Sequence, residues 1–542
     1  MNPKYKLAFS MMGLAGCLAL ATTATAQVSA DALLDKLVAK GILKQDEADE
    51  LKSEAATNNP AGPNGLESSK FKISKVFKNM ELYGDLRFRY EYRSAEGNFA
   101  PVPGVGTVPG GKYYDTADRW RYALRLGVRG DLADNFYYGL RLETSPNPRS
   151  TWNTFGNSAA GTTYGPFSKG NNYSLFVGLA YLGWRPTSWL DISVGRVPQP
   201  LYTTPMVWDS DFTPEGVVEK VKFTRGPLDF FATLGQYIYQ DVTPGSDFAI
   251  QGGSVAGIDL GQFSDQNAYL LTWQVGATYH IDPELSVKVA PTVYNYVGHG
   301  NQTVGFYGAF VGQGVEGFTF APGTSTSSMP GAYVPTTTTI GGGLPSAPSP
   351  NSYNQTGINN LFILEFPMEV NFKLGPLDAR AFGDYSLNLE GDQRATAAYN
   401  TGEMVWNNSG HVYQNPFPGG IQLNQSQALQ AGVAIGNNLG LVYGTTSKKG
   451  TWEARAYWQH VEQYALDPNL LDSDFFEGRG NLEGFYSAIA YSFTDGMIGT
   501  LRYGYAQRIN NQLGTGGYNA DLPLPNPVNR YQIFQADITF KF

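Results

Sequence analysis

Cysteine and histidine are scarce in this sequence. The single cysteine, Cys17, lies within the first 26 residues, and the four histidines are scattered along the chain. An intramolecular disulfide is therefore excluded, and zinc sites, which need clustered Cys and His ligands, are not indicated. Stability must come from a packed core or from backbone hydrogen bonds in a closed sheet. The histidines are His280, His299, His411 and His460.

Long apolar runs are also missing after residue 26, so no later stretch has the length and hydrophobicity of a membrane-spanning helix. The net charge of −9 argues against nucleic-acid binding, which needs basic surfaces. Neither a nucleotide-binding glycine loop nor a G-x-S-x-G nucleophile motif is present. The sequence therefore predicts no catalytic residues, no cofactor, no metal site and no nucleic-acid partner.

The first 26 residues have the features of a secretory signal peptide. Lys4 and Lys6 precede an apolar run over residues 7–21, and residues 24–26 form an A-x-A cleavage site. A lipoprotein signal around Cys17 ranks second, because the apolar run continues past that residue. Removal of the leader changes the net charge from −9 to −11. We therefore expect an exported, acidic protein.

Residues 27–79 predict a small helical hairpin followed by a linker. Apolar residues at helical spacing follow the cap candidates Ser29 and Asp31, and a second short helix covers about residues 45–54. Residues 57–69 are rich in Asn, Pro, Gly and Ser. We interpret the segment as a self-packed periplasmic appendage. Contact with the cell wall or with sister subunits is the alternative.

The last fourteen residues, 529–542, alternate strictly between apolar and polar side chains. Such alternation is typical of a strand with different solvents on its two faces. The alternatives are the closing strand of a membrane barrel and the edge strand of a soluble sandwich. One face carries Phe534, Ala536, Ile538, Phe540 and Phe542, and the other carries Gln535, Asp537, Thr539 and Lys541.

Strands with this alternation recur from residue 80 to residue 542. The predicted strands are 80–93, 119–131, 134–145, 173–185, 189–197, 216–225, 227–240, 268–280, 284–297, 360–374, 376–390, 427–446, 450–464, 484–494, 497–509 and 529–542. Links after even-numbered strands are short, and links after odd-numbered strands are long. This rhythm is the rule of outer-membrane barrels. The predicted fold class is therefore all-β, a closed antiparallel transmembrane barrel of about 16 strands.

A sheet in lipid must close, because every backbone group there has to be paired. Outward side chains must then be apolar and inward ones polar, so the strand at 360–374 places Glu365 and Glu369 inward. Pro291 and Pro367 lie inside strands, where proline cannot donate to the ladder, and we expect a local bulge or bend that leaves the register open. Sixteen strands leave an aqueous channel, which side chains do not fill as a core.

Arginine dominates the inward faces of the first three strands. Guanidinium groups stay charged and present planar donor pairs to carboxylates or phosphates, so neighbouring strands would form a cationic wall. Alternatively, they pair with inward acids such as Asp85, Glu91 and Glu143 and only hydrate the lumen. The arginines are Arg87, Arg89, Arg93, Arg119, Arg121, Arg125, Arg129 and Arg141.

The link between the fifth and sixth strands, residues 195–216, reads GRVPQPLYTTPMVWDSDFTPEG. With this loop, the helical leader and its sixteen-strand layout, the chain resembles the sixteen-stranded porins, most of all the putative porin family of Gram-negative envelopes. In such porins the loop after strand five folds inward and places acids opposite a basic wall. The resemblance implies a constriction role for Asp209, Asp211 and Glu215.

The resemblance also implies partners for the barrel. Outer-membrane lipid and lipopolysaccharide would surround it, the barrel-insertion machinery would read the terminal Phe542, and three subunits would form a homotrimer. The resemblance covers residues 80–542 in layout and does not extend to detailed motifs.

The tetrapeptide DSDF occurs twice, at residues 209–212 and 472–475, and a Glu-Gly pair follows in each case. Alternating acids with a nearby glutamate are potential Ca²⁺ ligands. The set is small for a calcium cage, so we favour acidic loop tips that pack on the barrel.

These observations predict a porin that passes small hydrophilic solutes by diffusion. A solute-selective channel, with the arginines as an anion track, is one alternative. A non-conducting structural or adhesive barrel, plugged by the Gly/Ser/Thr/Pro-rich loop 298–359, is another, and a sheath for an electron-carrying partner is a third. The sequence leaves ion selectivity open, because the net charge is negative and the wall is positive.

Overall fold

A computed structural model provides the structure of this chain. It describes residues 76–98, 112–145, 150–156, 174–240, 268–298, 339–340, 344–345, 362–391, 404–406, 412–414, 426–462, 464–467, 470–510 and 528–542. These residues all belong to one compact unit, Lys75–Phe542. The predicted signal peptide, the helical hairpin and nearly all of loop 298–359 lie outside the described residues.

Sixteen antiparallel strands form one closed sheet, which confirms the predicted fold class. The ring closes where the last strand pairs along the first, with Phe534 opposite Tyr92 and Phe540 opposite Leu86. The strands are β1 Glu81–Asn98, β2 Lys112–Asp131, β3 Phe136–Thr144, β4 Leu175–Trp184, β5 Leu190–Arg196, β6 Glu215–Arg225, β7 Leu228–Gln240, β8 Ala268–Asp282, β9 Leu285–Val289 with Thr292–Gly298, β10 Phe362–Leu374, β11 Leu377–Asn388, β12 Gln427–Gly436, β13 Trp452–Val461, β14 Leu482–Ser492, β15 Met497–Arg508 and β16 Val528–Lys541.

Small elements accompany the barrel. A 3-10 turn, Ala133–Asn135, joins β2 to β3, and the two-residue strand Asn153–Thr154 pairs with β2. Two short ribbons pair Thr339–Ile340 with Leu344–Pro345 and Met404–Trp406 with Val412–Gln414. No helix in the described part of the chain is long and apolar enough to cross a membrane.

Two of the tight turns share the sequence Gly-Pro. Gly226 and Gly375 each adopt φ +60 at the first central position of a two-residue hairpin turn. That position of a type II′ turn favours glycine, and the turn's twist matches the twist of the flanking strands. These turns therefore fix the register of β6 against β7 and of β10 against β11.

The strand β9 is interrupted at Ala290 and Pro291 without any change of register. Val289 lies opposite Met368 and Thr292 opposite Glu365, so no extra residue is inserted. The Ala290 N–H still donates to the Pro367 carbonyl at 3.1 Å. The expected bulge is absent, because the prolines lose only their own ladder bonds.

The hairpin of β1 and β2 is longer than predicted, and β12 is shorter. The first pair continues to Asn98 and Lys112, where the apolar alternation has already stopped, because the backbone ladder itself continues. The predicted strand at 427–446 ends at Gly436, and residues 437–451 form the link to β13. Most of that link folds into turns.

The lumen contains a buried apolar cluster that the sequence does not predict. Loop side chains such as Trp208 and Phe475 pack against inward tyrosines of the wall, including Tyr237 and Tyr457. The predicted outward residues behave as expected, since Leu82, Phe88, Tyr92, Trp120, Phe366 and Met368 are exposed. These loops thus build an apolar core inside the ring.

Candidate functional site

Arginines on the inward phase of β1, β2 and β3 are here together called the arginine wall. It comprises the eight arginines that the alternation predicts. Arg89 lies opposite Arg121 in the register, and both side chains are buried. Burial of so many cations is tolerable only if acids pair with them.

Glu91 is the acid at the centre of the arginine wall. Its side chain is 0% exposed, and its carboxylate oxygens lie 2.9 Å from a nitrogen of Arg93 and 2.5 Å from one of Arg119. Arg121 is 3.4 Å away, and the amide of Gln535 donates to the same carboxylate at 2.9 Å. One carboxylate therefore partly neutralises several arginines and fixes their positions.

The first inner loop, residues 197–214 between β5 and β6, reaches this wall. Asp211 accepts a hydrogen bond from Arg125, and both side chains remain partly exposed. Asp209 is buried, and no cation pairs with it among the described residues. Its carboxylate accepts backbone N–H groups of Asp211 at 2.9 Å and Ser473 at 3.0 Å.

Threonines fix the other side of the first inner loop to β10 and β11. Thr203 donates to Glu365 at 2.5 Å, and Thr204 donates to Asp384 at 2.5 Å. Tyr294 donates to the second oxygen of Glu365 at 2.5 Å. Glu365 points inward as predicted, but it is fully buried beneath the loop. It therefore anchors the loop.

The second inner loop, residues 470–481 before β14, reaches the same wall. Asp474 lies 2.9 Å from Arg89 and 3.4 Å from Arg93. Glu477 is 2.9 Å from Arg93, and both of these side chains are fully buried. Two acidic loops that are distant in the sequence therefore neutralise adjacent arginines.

The two DSDF segments share one internal hydrogen bond, and they touch each other. Asp209 accepts the N–H of Asp211, and Asp472 accepts the N–H of Asp474 at 3.0 Å. The Asp209 N–H donates to the Leu470 carbonyl at 2.6 Å. Within the described residues, no group of three or more His, Cys, Asp or Glu is arranged to hold a metal ion. The two DSDF segments therefore pack the tips of the inner loops together.

Each inner loop is also held by one buried aromatic ring. Trp208 of the first loop lies with its ring centre 5.9 Å from Tyr237 and 6.2 Å from Tyr294. Phe475 of the second loop lies 5.9 Å from Tyr457 and is 0% exposed. Edge-on aromatic contacts of this kind add to the area term of burial. The loops are thus fixed by charge on one side and by aromatic packing on the other.

The first aspartate of each DSDF turn is held with a raised pKa. Burial, with the charges of Asp211 and Asp472, raises the pKa of Asp209 well above its usual range. Burial and the neighbouring charge of Asp474 raise the pKa of Asp472 to about 6. Both shifts favour the protonated form, and the Asp472 carboxyl takes up a proton as the pH falls through about 6.

The second aspartate of each turn is held ionised. Burial opposes ionisation of Asp211, but the charge of Arg125 outweighs it and lowers the pKa. The same balance applies to Asp474, where Arg89 and Arg93 lower the pKa to about 2 despite burial. Each loop thus contributes one firmly negative carboxylate to the wall.

A cavity of about 230 Å³ lies between the two DSDF turns and the arginine wall. Cationic groups on it are Arg87, Arg89, Arg125, Arg502 and Lys541, and acidic groups are Asp85, Asp209, Asp211, Asp472, Asp474 and Asp537. Trp152 also lines the cavity, with the guanidinium carbon of Arg89 4.2 Å from its ring centre. The cavity therefore presents both signs of charge side by side.

Several predicted site residues lie away from this cavity. Glu215 pairs with Arg196 at 2.7 Å and is 58% exposed, so it does not face the wall. Arg129 pairs with Glu81 at 2.7 Å near the tight-turn end. Three further residues have other partners: Arg141 pairs with Glu143, Glu369 lies 3.5 Å from Arg380, and Phe542 exchanges backbone bonds with Gly84.

Acids and arginines on distant strands also belong to the site, and the sequence does not predict them. Asp537 of β16 accepts from Arg89 at 2.7 Å and also from Arg502 of β15. Asp537 and the second DSDF segment were both visible in the sequence. Their positions in the sequence do not link them to the arginines. Closure of the ring brings β15 and β16 beside β1, and folding of the second inner loop brings its DSDF segment to the wall.

A sequence profile of the family described as "Putative porin" matches residues 72–305 and 338–542. No curated protein matches the sequence. Among solved structures, OmpT, an outer membrane protein of Vibrio cholerae, is similar at 10% identity and a TM-score of 0.36, covering 86% of this chain and 100% of that chain. A triple mutant of the Rhodopseudomonas blastica porin is similar at 10% identity and a TM-score of 0.34, with the same coverage of 86% and 100%.

Proposed function

The chain belongs to the putative porin family and is a multi-pass β-barrel of the outer membrane, and from this premise we propose that it passes small hydrophilic solutes and ions by passive diffusion. The path runs through the cavity between the inner loops and the arginine wall. No chemical step is needed, since transport of this kind follows the concentration gradient.

The observation that carries this proposal is the near balance of charge around the cavity. Five cationic and six acidic side chains line it, and two of the acids, Asp209 and Asp472, have raised pKa values. Opposite charges placed side by side create a local field that acts on dipolar solutes. Such a field weakly favours one ion sign and excludes neither.

Ion pairing of the arginine wall argues against a strongly anion-selective track. Arg89, Arg93 and Arg125 each contact a carboxylate of an inner loop. One observation favours the anion alternative: Lys541 lines the cavity, and its ammonium group makes no hydrogen bond or ion pair within the described residues. Preference for anions is therefore the second candidate, and the experiment below separates the two.

The test is the reversal potential of the purified protein in a planar bilayer under a salt gradient. Arg125→Glu should shift the selectivity toward cations, because it removes a cation beside Asp211 and adds an acid. Arg129→Glu is the matched control, since it makes the same charge change on the same strand and face but away from the cavity. It should shift the potential less.

Wild-type protein with weak selectivity, ohmic steps and a clear Arg125→Glu shift supports the diffusion porin. Strong anion selectivity with block by its own solute supports the selective channel instead. Absence of any conductance contradicts both and favours the non-conducting barrel. Homotrimer formation, lipopolysaccharide contact and recognition of Phe542 by the insertion machinery stay predictions from the resemblance.

A further inference from the structure

The link between β12 and β13 is unusually long for its end of the barrel. The other six links at that end run over 132–135, 185–189, 226–227, 283–284, 375–376 and 493–496, whereas this one spans residues 437–451. Tight-turn ends of membrane barrels normally need only a few residues to join strands. The extra length, here called the inner turn, therefore requires an explanation.

The inner turn folds into the lumen. Leu441 and Val442 are 0% and 1% exposed and belong to the same apolar cluster as Phe475 of the second inner loop. Because Leu441 and Val442 are apolar, burial there stabilises the inward conformation. Segments from both ends of the barrel therefore enter the lumen: the two inner loops from the long-loop end and the inner turn from the tight-turn end.

Glu453 of β13 holds the inner turn in place. One oxygen of this fully buried carboxylate accepts the N–H of Gly440 at 2.7 Å and the N–H of Val442 at 3.0 Å. The other oxygen accepts from Arg455 at 3.0 Å. Arg502 donates to the Val442 carbonyl at 2.9 Å. Such charge-assisted bonds are stronger than neutral ones, so the turn is fixed by the wall itself.

The tip of the inner turn faces the cavity. Residues 441–444 line the same cavity as Asp211 and Asp472. Tyr443 is 46% exposed there, and the guanidinium carbon of Arg455 lies 4.5 Å from its ring centre. A solute in this cavity therefore contacts chain that enters from both ends of the barrel.

We infer that the inner turn is a second constriction, and that its tip, with Tyr443, limits the size of the solutes that pass. The inference rests on the proposed diffusion function, because it assigns a determinant of that same path. The solute class is small and hydrophilic, and the turn acts on size, since its tip carries an uncharged tyrosine.

The main test replaces residues 438–451 with Gly-Pro, the turn that this chain uses at 226–227, which keeps Asn437 in register with Trp452. Single-channel conductance should rise about twofold or more, because the pore widens on one side. Liposome swelling should also admit neutral sugars that are too large for the wild type. Unchanged conductance and an unchanged size limit in correctly folded protein would overturn the inference.

Two point variants keep the test valid if the shortened protein does not fold. Tyr443→Ala removes a half-exposed ring, and Glu453→Gln weakens the two bonds to the turn. Both should raise the size limit, whereas the control Glu369→Gln, an inward glutamate on β10, should not. No change in either variant contradicts the inference. A wild type that does not conduct at all contradicts the proposed function, which is a separate outcome.

Discussion

The two inner loops contain the same four-residue sequence, but the two copies lie in different environments. Both contain DSDF, and in both the first aspartate accepts the N–H of the second. In the first loop Asp211 pairs with one arginine, Arg125. In the second loop Asp474 contacts two, Arg89 and Arg93. Segments of identical sequence therefore acquire different partners from the strands that they meet.

The two loops also differ in how deeply their side chains are buried. Phe475 and Glu477 of the second loop are fully buried, whereas Phe212 of the first loop, at the position equivalent to Phe475, is only partly buried. The ionised carboxylate of the first loop, Asp211, also forms a single ion pair, with Arg125. The second loop thus serves as a fixed support, and the first loop presents the more adjustable face of the path.

The largest difference in stability between the two loops is expected from substitution of their phenylalanines. Phe475→Ala should reduce the free energy of unfolding by about 3–5 kcal/mol, because it leaves a cavity among Tyr457, Tyr486 and Phe476. Phe212→Ala should cost only about 1–2 kcal/mol, since its ring is partly exposed. Urea unfolding of barrels refolded into liposomes measures both. Equal losses would mean that the loops are equally fixed.

A smaller difference is expected from the glutamates that follow the two DSDF turns. Glu477→Gln should cost about 1–3 kcal/mol, because Arg93 is buried and loses one ionised partner. Glu215→Gln should cost at most about 1 kcal/mol, since its pair with Arg196 is exposed. The same unfolding assay applies. A larger effect at Glu215 would reverse the assignment of the supporting loop.

Selectivity should respond more to the first loop than to the second. Asp211→Asn leaves Arg125 without its close partner and should raise the anion-to-cation permeability ratio about two- to fivefold, equivalent to roughly 0.5–1 kcal/mol. Asp474→Asn should change it less, because Arg89 keeps Asp537 and Arg93 keeps Glu477. Reversal potentials of both variants decide this point. A larger shift for Asp474→Asn would contradict the comparison.

The smallest expected effect is the pH dependence of anion permeability. Because the pKa of Asp472 is raised to about 6, lowering the pH from 7 to 5 adds a proton there and removes negative charge. Anion permeability should therefore rise by about twofold or less as pH falls through 6. Asp472→Asn, which is neutral throughout, should show a flatter profile. A profile identical to that of the wild type would exclude Asp472 as the source.

The barrel could be predicted because lipid imposes a simple pattern. Outward positions must be apolar at every second residue, so strands such as 529–542 and the phase of Arg89 and Arg121 follow from the alternation. The β12 boundary could not be found this way. Residues 439–443 read LGLVY, whose apolar side chains suit a strand, yet they lie in the inner turn, where Leu441 and Val442 are buried.

The inner site depended on contacts between distant parts of the chain. Asp211 was linked to the arginine wall through the resemblance, and the structure places it on Arg125. Glu215 was grouped with it because the two are close in sequence, but β6 begins at that residue and carries it away from the wall. Asp474 and Asp537 reach Arg89 only through folding of a loop and closure of the ring.

The most direct test of the account is current through a channel with one cysteine beside the arginine wall. The chain has no cysteine after residue 26, so Asp211→Cys, expressed without residues 1–26 and refolded, carries a unique thiol at the cavity. A bulky anionic methanethiosulfonate should then reduce the single-channel current stepwise, while Phe485→Cys on the exposed outer face should show no change. Full labelling of Asp211→Cys without any change in current would contradict a path between the inner loops and the wall.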